Sequence, residues 1–241
     1  MILEICANSV SSAVKAQEGG ANRIELCCNL EQGGLTPSAA TIQLVKELVS
    51  IPIFVLIRPR IGSFSYTPLE LKQMCKDILF CKRLGIDGVV FGVLNKYDEI
   101  AIAANKDLLE AARPMECTFH RAFDCLENPF EGAKTIVSMG FNRILTSGTK
   151  PTAIEGKYII RKLIQETANL GITILPGSGL SSTNSQSFLA FTGAKELHAS
   201  AKKTIRPSSS NLFSAMYFET DIEEVKSLSA VIREYPKYPK F

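Results

Sequence analysis

Apolar and polar positions along the chain follow one repeated unit. A stretch with apolar residues at helical spacing closes on a glycine, a few residues follow, and a short apolar strand begins. Five such joins align: Gly20-Ala-Asn-Arg-Ile-Glu, Gly85-Ile-Asp-Gly-Val-Val, Gly140-Phe-Asn-Arg-Ile-Leu, Gly171-Ile-Thr-Ile-Leu and Gly193-Ala-Lys-Glu-Leu-His. Glycine just past a helix end takes the left-handed conformation at little cost. Strands are predicted to begin near Ile2, Arg23, Ile53, Gly88, Cys117, Arg143, Thr173 and Glu196. Amphipathic stretches between and after them predict helices over 38–49, 67–84, 99–112, 129–139, 156–170, 183–191 and 222–233. Eight alternating units allow a closed (β/α)8 barrel or an open doubly wound sheet. The length of 241 residues suits the barrel, and no GxGxxG follows the first strand. No linker interrupts the pattern, so 1–241 is expected to be a single TIM-barrel domain with 235–241 as an extended tail.

Parallel strands buried on both faces read as near-continuous apolar runs, and several strands here do not. Counting alternate residues from each join puts Glu4 and Cys6 on one face of the first strand, and Arg23, Glu25 and Cys27 on one face of the second. Arg58, with Arg60 beyond it, follows the third. Gly88, Val90 and Gly92 leave space on the fourth. His120, Arg143 with Ser147, and Glu196 with His198 and Ser200 complete the set. The opposite, apolar face must pack on helices, so these groups are expected inside the barrel. Burying charges costs several kcal/mol each unless they are paired. A polar, mutually paired pocket at the strand ends is therefore expected, where barrels carry their sites.

Both histidines of the chain fall in this set, and imidazole suits proton transfer or metal ligation near neutral pH. Glu25, Arg58, His120, Glu196 and His198 are candidate catalytic groups. Arg60, Arg143, Ser147, Gly177, Gly179 and Ser200 are candidates for binding a small anionic or phosphorylated substrate. Gly177 and Gly179 lie in a Pro176-Gly-Ser-Gly turn that opens a helix, a setting that favours anions. Cys6 and Cys27 end neighbouring strands; without a nearby His they suit a soft ion such as Cu(I), or else are two small buried hydrophobes.

Composition narrows the partners. A net charge of +3 from 27 basic and 24 acidic residues gives no nucleic-acid signature. The apolar runs are strand-sized, too short to span a membrane. Seven cysteines without CxxC encode neither a disulfide framework nor a zinc ribbon, and no signal-peptide pattern opens the chain. A cytoplasmic protein is expected, with no organic cofactor and with a homo-oligomer as the base-rate assembly.

Leu3-Glu-Ile-Cys, Gly19-Gly-Ala-Asn-Arg-Ile-Glu-Leu-Cys, Gly33-Gly-Leu-Thr-Pro-Ser, Ile57-Arg-Pro-Arg, Val89-Val-Phe-Gly, Thr118-Phe-His-Arg-Ala-Phe-Asp, Arg143-Ile-Leu-Thr-Ser-Gly, Pro176-Gly-Ser-Gly and Glu196-Leu-His-Ala-Ser together resemble the CutC family. The resemblance implies a cytoplasmic (β/α)8 barrel acting in copper homeostasis, with a cuprous site at Cys6 and Cys27. Ile61-Gly-Ser-Phe stands where the family pattern has Gly-Gly-Asp-Phe, and Cys28 is an extra thiol. The alternative function is a lyase, isomerase or hydrolase acting on a small anionic substrate in the polar pocket.

Overall fold

The computed structural model describes residues 1–206 and 216–235. The chain enters strands β1 (Ile2–Ala7), β2 (Arg23–Leu26), β3 (Ile53–Leu56), β4 (Gly88–Phe91), β5 (Glu116–Phe119), β6 (Arg143–Thr146), β7 (Thr173–Pro176) and β8 (Glu196–Ala199). All are parallel, in the order β7-β6-β5-β4-β3-β2-β1-β8. β7 lies against β8, so the sheet curls into the expected (β/α)8 barrel. At that seam a Cβ on Gly177 would come within 3.1 Å of the His198 ring. Glycines at all five joins adopt positive φ, from 67° at Gly85 to 95° at Gly140.

Helices α1 (Val10–Glu18), α2 (Ala39–Leu48), α3 (Pro68–Arg83), α4 (Ile102–Ala112), α5 (Pro129–Met139), α6 (Lys157–Thr167), α7 (Ser185–Thr192) and α8 (Ile222–Glu234) surround the barrel. α3 starts where Thr67-Pro68 predicts, because Thr67 and Glu70 form a reciprocal capping box. α4 starts later than expected. The Asn95 side chain accepts from the backbone of Tyr97 (2.8 Å) and Glu99 (3.0 Å), holding that segment in a turn. The predicted outward residues, among them Leu3, Ile5, Ile24, Leu26, Val55, Val89, Ile144 and Leu197, form the core between sheet and helices.

An antiparallel hairpin, β9 (Lys202–Ile205) with β10 (Tyr217–Thr220), was not predicted. It leans on α1: Lys15 meets Glu219 at 2.6 Å and Ser12 accepts from the Thr220 amide. Of the predicted tail, Tyr235 donates its hydroxyl to the Leu189 carbonyl, and 236–241 lie outside the described residues.

Candidate functional site in the barrel mouth

The inward residues form two layers. In the lower one, Arg23 bridges Glu4 and Glu196. Arg143 joins Glu196 (3.0 Å) to Glu116 (2.5 Å). Phe54 lies between the two guanidiniums, 4.9 Å from Arg23 and 5.0 Å from Arg143. Gly88 makes room for it, since a Cβ there would approach the ring to 2.5 Å. Arg143 and Glu196, expected at the mouth, are the first residues of their strands and belong to this lower network. Two-residue alternation identifies which face a side chain takes but not its depth.

Above this network a cavity of 380 Å³ opens at the carboxyl ends of the strands. One corner is lined by Cys6, Glu25 and His198, with the fully buried Cys27 behind Cys6. The Cys6 and Cys27 sulfurs are 3.5 Å apart. Ligating atoms of Cys6, Glu25 and His198 lie within 4.8 Å of one another. Sequence reading placed no histidine beside the thiols; the structure corrects this. Barrel closure sets β8 and β2 on either side of β1, with Glu4 opposite His198 and Cys6 opposite Glu25. His198 Nδ1 is 2.7 Å from Glu4, and its Nε2 is 3.8 Å from Glu25.

Burial opposes charge on this imidazole, but Glu25, Cys6 and Glu4 outweigh it and raise the His198 pKa well above its ordinary value. Burial likewise opposes charge on Glu4, yet Arg23 and His198 hold it at about 2. Burial raises the Glu25 pKa. The Cys6 thiol is also raised, first by its contact with Cys27 and then by burial.

The other wall carries Arg58, Phe64 and His120. Gly92 leaves room for His120, since a Cβ there would lie 2.8 Å from Nδ1. His120 caps the turn Arg121–Cys125, its Nδ1 accepting from the Ala122 amide at 3.2 Å. Burial and then the Arg58 charge lower its pKa to about 3. Arg58 donates to the carbonyls of Gln32 (3.1 Å), Gly34 (2.9 Å) and Gly62 (3.1 Å). Its guanidinium carbon is 5.2 Å from the Phe64 ring centre.

The remaining candidates divide. Gly179 and Ser200 line the cavity, as does Lys202 at the start of the hairpin; Gly177 backs the His198 ring. Arg60 turns away to Glu70 (2.5 Å) and to the carbonyls of Ser63 and Ser65. Ser63, the departure from the family pattern, is exposed and does not line the cavity. Ser147 is committed elsewhere: the donors after β6, namely Thr146 Oγ1, the Ser147 amide and hydroxyl and the Thr149 amide, converge on Asp124. Near the start of α7, Ser182 gives its amide and hydroxyl to Glu224 (2.7 and 2.8 Å). Asp124 and Glu224 thus take the donors of Ser147 and Ser182, while Gly179 remains on the cavity wall.

All seven cysteines are free. Cys81 and Cys117 are buried, with thiols pushed up to about 12 by burial. Cys125 is exposed. Phe64 was missed as a site residue because it lies in a loop, where no periodicity marks its direction.

Fold and site together define a (β/α)8 barrel with a thiol-bearing polar cavity at the carboxyl ends of its strands. The CutC family model matches residues 1–203, and the chain belongs to that family. It is 40% identical over 244 residues to the copper homeostasis protein cutC homolog of Homo sapiens, covering 96% of this chain and 89% of the human protein. It is 45% identical over 212 residues to a family protein CutC of Porphyromonas gingivalis, covering 87% of this chain and 84% of that one. A crystal structure of a CutC protein from Streptococcus agalactiae superposes with a TM-score of 0.79 at 34% identity, covering 83% of this chain and 99% of that one.

Proposed function

We propose that this CutC-family protein binds Cu(I) in the cytoplasm through Cys6 and Cys27, with His198 as a third donor. The observation that carries the reading is the pair of free sulfurs 3.5 Å apart, with Cys6 on the wall of a cavity open to solvent. Two thiols at this separation close on one soft ion by small side-chain rotations, and thiolate donors select Cu(I) over hard cations. His198 and the Cys6 thiol hold their protons in the free protein, so Cu(I) binds by displacing them; the neutral ring then adds a borderline donor from the neighbouring strand, oriented by Glu4 on its Nδ1. Reduced thiols are the state a cytoplasmic compartment maintains, and among the described residues no helix is long and apolar enough to cross a membrane.

The test is a Cu(I) competition titration under reducing conditions, comparing the parent with a Cys6→Ser/Cys27→Ser double variant. The parent is expected to hold one Cu(I) against the competing chelator and the double variant to hold none. Equal binding by both proteins contradicts the reading.

A further inference from the structure

We propose that the wall of the cavity formed by Arg58, His120 and Phe64 is a receptor for an oxyanion, a carboxylate or phosphate group carried by a small metabolite. This goes beyond copper binding and does not depend on it.

Arg58 is a buried cation, 7% exposed. Among the described residues every hydrogen bond its guanidinium makes goes to a main-chain carbonyl, none to a carboxylate. Its Nε is buried and has no acceptor among the described residues. The lower layer shows the contrast: Arg23 and Arg143 are each paired with two carboxylates. Among the described residues interior charge is thus neutralised in the lower layer and left without a counter-ion at Arg58. A buried charge without a counter-ion is strongly destabilising, and a ligand anion supplies the missing partner.

His120 points to the same ligand. It is 4% exposed and lines the cavity. Because Nδ1 accepts from the Ala122 amide, the ring proton resides on Nε2. That N–H is buried with no acceptor among the described residues. The low pKa keeps the ring neutral, a donor that does not lose its proton near neutral pH. Leaving a buried donor unmet costs about 1–3 kcal/mol. Two unmet donors, Arg58 Nε and His120 Nε2, therefore flank Phe64, whose ring lies 4.7 Å from that of His120 and offers no acceptor. Arg58, His120 and Phe64 offer a ligand positive charge and two N–H groups that lie just beneath the wall without an acceptor among the described residues, a combination that suits an oxyanion. Lys202 adds positive charge at the rim. The cavity volume of 380 Å³ fits a small metabolite and excludes a polymer.

The test uses the reduced, metal-free full chain in a buffer free of phosphate and carboxylates. Histidine side-chain ¹⁵N spectra are followed while inorganic phosphate is titrated in one arm and acetate in the other. The expected result is a saturable shift of the His120 Nε2–H resonance in at least one arm, which also identifies the anion. Arg58→Gln is expected to weaken that binding by about tenfold or more, the loss of a charge-assisted pair. His120→Phe is expected to weaken it while His120→Gln, which keeps an N–H donor, retains more of it. Should Arg58→Gln not fold, the two His120 variants, followed by the anion-induced rise in Tm, carry the test. No saturable response in either arm, or unchanged affinity in the variants, overturns the proposal.

Discussion

Six residues that alternation places inside the barrel, Cys6, Glu25, Arg58, His120, His198 and Ser200, do line the cavity. Their direction is legible because side-chain period is a local property of a strand. Which residue touches which is not: His198 and Glu4 are 194 positions apart, and only closure of the ring makes them neighbours. At this scale His120 offers a pH prediction. An unfolded histidine binds its proton near pH 6.5, whereas folded His120 does so near 3. The unfolded state therefore binds more protons between those values. The contribution of neutral His120 to stability is full above pH 6.5 and is lost as pH falls. Denaturant melts should show the parent losing about 2 kcal/mol more than His120→Gln between pH 6.5 and pH 5. Parallel acid limbs for the two proteins would show that His120 titrates normally.

Elements are legible where capping and periodicity act together, as at Thr67-Pro68-Leu-Glu70, and illegible where a distant segment decides. β9 and β10 are four residues each and face one another across a long connection, so neither carries a hairpin signal of its own. The turn after β6 misleads in a different way. Ser147 reads as a free donor for an anion, but Asp124 from the turn after β5 occupies it together with Thr146 Oγ1 and the Thr149 amide. Asp124→Ala should leave these buried donors unmet and lower stability by about 2 kcal/mol or more. The check is urea unfolding beside Glu131→Ala, an exposed carboxylate in α5 paired among the described residues with Lys134 alone, which should be near neutral. Similar losses for the two would mean that the Asp124 cluster is not a structural anchor.

Across the whole molecule, the near-balanced net charge conceals a segregation along the barrel axis. The lower layer pairs Glu4, Arg23, Glu116, Arg143 and Glu196, while among the described residues the upper cavity keeps Arg58 without a carboxylate beside an unmet His120 donor. Fold class and the polar interior were readable from the repeat and its register. The division into a structural floor and a functional mouth was not, because it depends on how far along each strand a residue sits. Arg23→Met should cost about 3–5 kcal/mol by leaving Glu4 and Glu196 buried beside too little positive charge. Thermal unfolding checks this, with a small change in Tm as the contrary result.

The account rests most heavily on Cys6 and Cys27 acting together on one soft ion. X-ray absorption at the copper edge, on reduced protein loaded with one equivalent of Cu(I), reads the donor atoms directly. Two sulfur scatterers and one nitrogen are predicted, with both sulfurs lost in Cys6→Ser/Cys27→Ser. A first shell of oxygen and nitrogen alone, or the same sulfur shell in the double variant, would contradict it.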